Sequence, residues 1–164
     1  MTTETTARVR HDFKGYFEDF VVGEVYRHAR GKTVSELDNV LITNMVLNTA
    51  EPHFNEHMAK ADPMFGQRTV YGGITIAMVI GLAAQDTVQQ AIREIGMDKI
   101  QLFARVYHGD TLYATSEVMA VQADARHGGG IVTFFHRGYN QNEVLVCSGE
   151  RRVLIASHPT KEKL

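Results

Sequence analysis

The chain has 164 residues, 44% of them hydrophobic and 22% charged, with a formal net charge of -2. That length and composition suit one globular domain with a continuous apolar core, and the near-neutral balance offers no basic footprint for nucleic acid. Cys147 is the single cysteine, so a disulfide within the chain is excluded.

The opening "MTTETTARVR" is polar and lacks the apolar stretch of a secretory signal. Residues 1–14 are expected to form a flexible lead segment, 15–158 the single domain and 159–164 a tail, in a reducing cytoplasm. Strand-like alternation follows Gly23. "SELDNVLITNMVLNTA" then opens with Ser35 as N-cap and Asp38 three positions on, and carries Leu37, Val40, Leu41 and Met45 at helical spacing. The pattern predicts a helix over about 36–49.

Next comes "PHFNEH", residues 52–57, which matches the H-x-x-E-H spacing of one class of zinc peptidases. That motif requires both histidines on one running helix. Pro52 places His53 in a first turn, and the residue before a proline is disfavoured in the helical region, so upstream helix should end near Ala50. The motif straddles a helix start and has no suitably spaced third ligand, so no metal site is expected.

A short helical piece and a turn-rich loop, "ADPMFGQRTVYGG", lead to "GGITIAMVIGLAA", residues 72–84. This stretch is too short to span a bilayer, and its unbroken apolar character predicts a buried helix from about Gly73 to Ile92. The second half changes period. "KIQLFARVYH", "TLYATSEVMAVQA", "GIVTFFHRGYN" and "EVLVCSGERRVLIAS" are rich in β-branched and aromatic residues and are separated by "GD", "ARHGGG" and "QN". They read as successive antiparallel strands, with Cys147 packed in the last. An apolar helix followed by a four-strand meander is best buried when the sheet wraps the helix, an α+β hotdog fold. "HGGG", residues 127–130, matches a lipase oxyanion motif, but the chain has no G-x-S-x-G elbow and a hairpin turn is the better reading.

"LNTAEPHFNEHMA", "FGQRTVYGGITIAMVIG" and "ARVYHGDTLYATSEV" together resemble the MaoC-like (R)-specific enoyl-CoA hydratase family over roughly residues 15–155. The match is closer to the branch of mesaconyl-CoA and methylmalyl-CoA hydratases. The resemblance implies that His53 is the catalytic histidine, that Asn55 is its neighbour in an H-x-D/N element, and that the backbone N–H of Gly73 polarises the thioester carbonyl. Asn48 stands where typical members have an aspartate, and Gly81 where some have a serine. The implied substrate is an acyl-CoA or acyl-carrier thioester, with no cofactor beyond the CoA of the substrate. A homodimer or a multiple of it is also implied, with the acyl tunnel near the subunit boundary.

The residues can be tied to that chemistry. Adding water to an α,β-unsaturated thioester gathers charge on the carbonyl oxygen, and Gly72 and Gly73 at a helix N-terminus offer free N–H groups with no side chain in the way. Histidine titrates nearest neutrality and suits proton transfer, so His53 is the expected base. Asn48 does not titrate but can orient a water. Tyr71 and Arg68 join Gly72 and Asn55 as expected substrate contacts, and Arg105 or the Arg151-Arg152 pair could meet CoA phosphates or an acyl carboxylate. Two rival readings share this fold. A hotdog thioesterase would want an acid within the central helix, whose first is Asp86, and a non-catalytic acyl-CoA binding subunit is kept open by Asn48.

Overall fold

In the computed structural model, which describes residues 13–159, the sheet closes around one helix. The elements are β1 (Val25–Arg27), β2 (Lys32–Thr33), α1 (Glu36–Met45), α2 (Glu51–Phe54), α3 (Glu56–Ala61), α4 (Gly72–Thr87), β3 (Ala91–Leu102), β4 (Thr111–Asp124), β5 (Gly129–Tyr139) and β6 (Leu145–Ala156). The strands lie in the order β1-β4-β5-β6-β3, all antiparallel, with β2 pairing on β4. This is the α+β hotdog architecture. Nearly all of residues 1–14 and 159–164, expected to be a loose segment and a tail, lie outside the described residues.

Alternation makes the inner wall. Along β5, Val132, Phe134 and His136 are buried while Thr133, Phe135 and Arg137 are only half-buried, as a period of two requires. α4 lies against that wall through Ile74, Val79 and Ala83, all essentially inaccessible. Each such Ile or Val burial contributes about 1.5–3 kcal/mol. The helix comes close at Gly138, where a Cβ would stand 2.4 Å from Val79 Cγ2. Any larger residue there would push α4 off the sheet. Cys147 is a core residue of the same cluster, and burial pushes its thiol up to about 11.

α4 is not enclosed on every side, since Ala77, Gly81 and Gln85 form an exposed stripe at a four-residue spacing. Among the described residues β3 pairs with β6 alone, and its register shifts three times, between Ala91 and Arg93, Glu94 and Gly96, and Asp98 and Gln101. Apolar side chains stay exposed along and just beyond it: Ile92, Met97, Ile100, Leu102 and Phe103. No described helix is long and apolar enough to cross a membrane.

Several boundaries differ from the sequence reading. The Ser35–Asp38 capping box forms as expected, but α1 ends at Met45, four residues early. Leu47 takes a left-handed φ of 58°, and Asn48 N donates to Thr43 O at 2.9 Å, closing off carbonyls that another helical turn would have used. The apolar stripe of α1 also points the other way. Leu37, Leu41 and Met45 are exposed, whereas Asn39 and Thr43 are fully buried and hydrogen-bonded.

Glu51 is the first residue of α2 despite preceding Pro52, because a disfavoured conformation is not a forbidden one and Asn55 N can donate to Glu51 O at 2.9 Å. α2 stops at Phe54 and Asn55 N-caps α3, so His53 and His57 sit on different helices. α4 begins at Gly72 and ends at Thr87 rather than Ile92. From Ala91 onward the chain pairs with β6, and that pairing decides over local pattern. The strand expected over "KIQLFARVYH" leaves the ladder after Leu102 and crosses to meet the segment before α4, where Val70 N donates to Val106 O at 2.8 Å.

Candidate active site

The first turn of α4 and the α2 turn face one pocket of about 770 Å³. His53, Tyr71, Gly72 and Gly73 all line it, so the structure brings four of the seven expected residues together. The far wall is supplied by Ile100, Leu102, Phe103 and Val106, and is apolar apart from Arg105.

The donors come from the helix start. Ile74 N makes the first bond of α4, to Tyr71 O at 2.9 Å, and Tyr71 N is already taken by Asn39 Oδ1 at 3.1 Å. Gly72 and Gly73 therefore hold the N–H groups that the helix itself cannot satisfy. Both glycines leave room that a side chain would take up. A Cβ on Gly73 would lie 2.5 Å from the Tyr71 ring, and one on Gly72 would lie 2.3 Å from Leu102 Cδ1.

The histidine is held in one tautomer. His53 Nδ1 is 3.1 Å from the Thr69 carbonyl oxygen and 3.1 Å from Thr69 Oγ1. A carbonyl only accepts, so Nδ1 carries the proton. Thr69 Oγ1 in turn donates to Pro52 O at 3.4 Å, which leaves its lone pair for Nδ1–H. Nε2 is then the bare nitrogen, available to take a proton. The His53 ring stands 5.7 Å from that of Tyr71, tilted by 56°.

Asn39 is the residue that sequence reasoning missed. Its Nδ2 donates to His53 O at 2.9 Å while its Oδ1 accepts from Tyr71 N, so one buried amide ties the histidine turn to the mouth of α4. Thr69 N adds a bond to Pro52 O at 2.9 Å. The available signal was a polar residue in the middle of α1, which only makes sense if that face is buried.

Three expected residues lie outside the pocket lining. Asn48 is half-buried in the turn after α1, and its Oδ1 accepts from Ala50 N at 3.2 Å. Asn55 spends its Oδ1 on Met58 N as the cap of α3. Arg68 is clamped by Glu56, at 3.0 Å from Nε, and by Glu36. Arg151 is similarly bound to Glu94, at 2.6 Å from Nη2.

A second polar cluster sits at the opposite end of α4. Asp86 Oδ2 is 2.6 Å from His28 Nδ1, His28 Nε2 is 2.7 Å from Ser116 Oγ, and Ser116 Oγ is 2.6 Å from His136 Nδ1. The order imitates an acid-base-nucleophile triad, but Ser116 is 0% exposed and no substrate can reach it. Burial, with help from the nearby Arg151 and His28 charges, pushes His136 down to about 3. Asp86, the acid a thioesterase reading would call on, is committed here, away from the glycines.

The fold and the placement of this site at the N-terminus of its wrapped helix put the chain among hotdog proteins. A Mycobacterium tuberculosis protein with a double hotdog fold superposes with a TM-score of 0.80 at 20% identity, covering 90% of this chain and 46% of that one. More narrowly, the chain belongs to the mesaconyl-CoA hydratase family, whose profile matches residues 9–157. It is 32% identical to a mesaconyl-CoA hydratase of Haloarcula marismortui over 154 residues, covering 85% of this chain and 41% of that protein. It is 33% identical to a β-methylmalyl-CoA dehydratase of Chloroflexus aurantiacus over 107 residues, 65% of this chain and 30% of that one. The chain thus spans well under half the length of the curated relatives it matches.

Proposed function

We propose that the chain is a hydro-lyase that adds water reversibly to an α,β-unsaturated acyl-CoA, giving the 3-hydroxyacyl-CoA, with a short branched or dicarboxylic acyl group. The observation that carries this reading is His53, fixed by the Thr69 carbonyl with Nε2 bare, in the same pocket as the Gly72 and Gly73 amides. Nε2 removes a proton from water as its oxygen bonds to C3 of the acyl chain. The electron pair of the double bond moves to the thioester oxygen, where the two glycine N–H groups and the positive end of α4 hold the charge. The imidazolium then returns its proton to C2. Atoms and charge balance with no group beyond the CoA of the substrate.

Tyr71 serves this chemistry by walling the pocket, while Asn48, outside the lining with its Oδ1 taken by Ala50 N, shapes the turn that leads into α2. Asn55 and Arg68 act one step back, by holding the turn that carries His53. The names of the relatives support the substrate class.

The same reading calls for a second copy of the chain. The unpaired edge of β3, the exposed apolar residues along it and the Ala77-Gly81-Gln85 stripe are surfaces a partner hotdog would cover, and the relatives are more than twice as long. A homodimer in the cytoplasm fits a CoA substrate.

One experiment tests the activity. An enoyl-CoA is incubated with the protein while conjugated-thioester absorbance and free thiol are followed together. Loss of conjugation without thiol, abolished in His53→Ala, is expected. Thiol release would instead mean a thioesterase, and no change a binding protein.

A further inference from the structure

Among the described residues that line the pocket, the one permanent charge belongs to Arg105, which is exposed at its rim. This residue lies in the segment that leaves β3 and crosses to Val70, which carries it over the pocket. Its guanidinium carbon sits 5.1 Å from the centroid of Phe65, another lining residue. Among the described residues it makes no ion pair or hydrogen bond, whereas Arg68 and Arg151 are consumed by carboxylates. Of the described residues, no Asp or Glu lines the pocket. A stacked guanidinium with its N–H edge free, set in an otherwise apolar wall, is arranged to take a planar anion through two parallel bonds.

We propose that Arg105 is the specificity-determining residue of the site and reads the far carboxylate of a dicarboxylic acyl thioester. This deepens the hydratase reading and rests on it for the position of the thioester. The phosphates of CoA are the other anions in reach of the protein, but they stand a full pantetheine arm from the thioester. The second carboxylate of a four- or five-carbon diacid is only a few bonds away, and Arg105 shares its pocket with His53, Gly72 and Gly73.

The test is the ratio of affinities for succinyl-CoA and butyryl-CoA, which differ only at the end of the acyl chain, measured by titration calorimetry on the full chain. The wild-type protein is expected to prefer succinyl-CoA. In Arg105→Met the preference should fall by about 10- to 100-fold, the loss of one charge-assisted pair. Arg105→Glu should invert it, and Arg105→Lys should keep part of it. Absence of a wild-type preference, or a preference unchanged in Arg105→Met, overturns the proposal. The second outcome includes equal weakening of both ligands, which would assign Arg105 to the CoA phosphates. Neither result depends on turnover, so a failure of the hydratase reading would show separately in the absorbance assay.

Discussion

His53 Nδ1 points at the main-chain oxygen of Thr69, 3.1 Å away, and the side-chain oxygen of the same residue is equally near. Only the main-chain contact survives substitution at position 69. Thr69→Val should therefore retain most of the hydration rate, because the carbonyl still selects the tautomer. His53→Ala should lose about 10²–10⁴-fold. Steady-state rates on one enoyl-CoA, with circular dichroism to confirm folding, check both.

Asn39 satisfies two main-chain groups from a fully buried position. Asn39→Ala leaves both without partners and opens a small cavity, so it should cost about 2–4 kcal/mol of stability. Urea unfolding measures this. The surviving folded fraction should also turn over more slowly, since the histidine turn and the α4 mouth are no longer tied.

Asn48→Asp preserves the turn, because a carboxylate oxygen accepts from Ala50 N as the amide oxygen does. It also supplies a titrating group on the stretch that leads to His53. Hydration should be retained or raised. A fall of more than about ten-fold, well over 1 kcal/mol of transition-state stabilisation, would argue that the amide itself is needed.

The two glycines differ in what surrounds them. Gly72→Ala meets only the end of the exposed Leu102 side chain, which can swing aside. Gly73→Ala meets the Tyr71 ring, which stands against His53, so relief there displaces the base. The second substitution should reduce kcat the more, by about 10²-fold for a shift near 1 Å. Comparing kcat of the two variants with thermal melts separates this from unfolding.

His136 gives the fold a pH dependence. It is neutral in the folded chain down to about 3, pushed there by burial first and then by Arg151 and His28, while an unfolded histidine titrates near 6.5. Between those values the unfolded chain binds the extra proton, so stability falls as pH falls through that window. Between pH 7 and 5 the loss should be about 2 kcal/mol. Urea midpoints at both pH values test this, and His136→Asn should flatten the difference.

Much of this was legible in the residues themselves. Ser35 with Asp38 marked a helix start, Pro52 placed His53 in a first turn, and the Gly72-Gly73 pair marked the mouth of a buried helix. These signals are local, acting over a few residues. What escaped was non-local. "AIREIGM" carries no strong strand pattern and is held as strand by β6, more than fifty residues on. Arg68 is clamped by Glu36 and Glu56, 32 and 12 residues away, which no spacing rule connects. The outward turn of the α1 stripe is set by the two bonds Asn39 makes, and those bonds exist only once α2 and α4 are in place.

The kinks in β3 bear on what can join it. A flat, regular edge would accept almost any extended peptide, and so invite clumping. Three breaks in register within twelve residues scramble the spacing of the outward N–H and C=O groups. A newcomer must carry the same irregular rhythm to lock on. Few strands do, and one that does by construction is the same segment of a sister molecule.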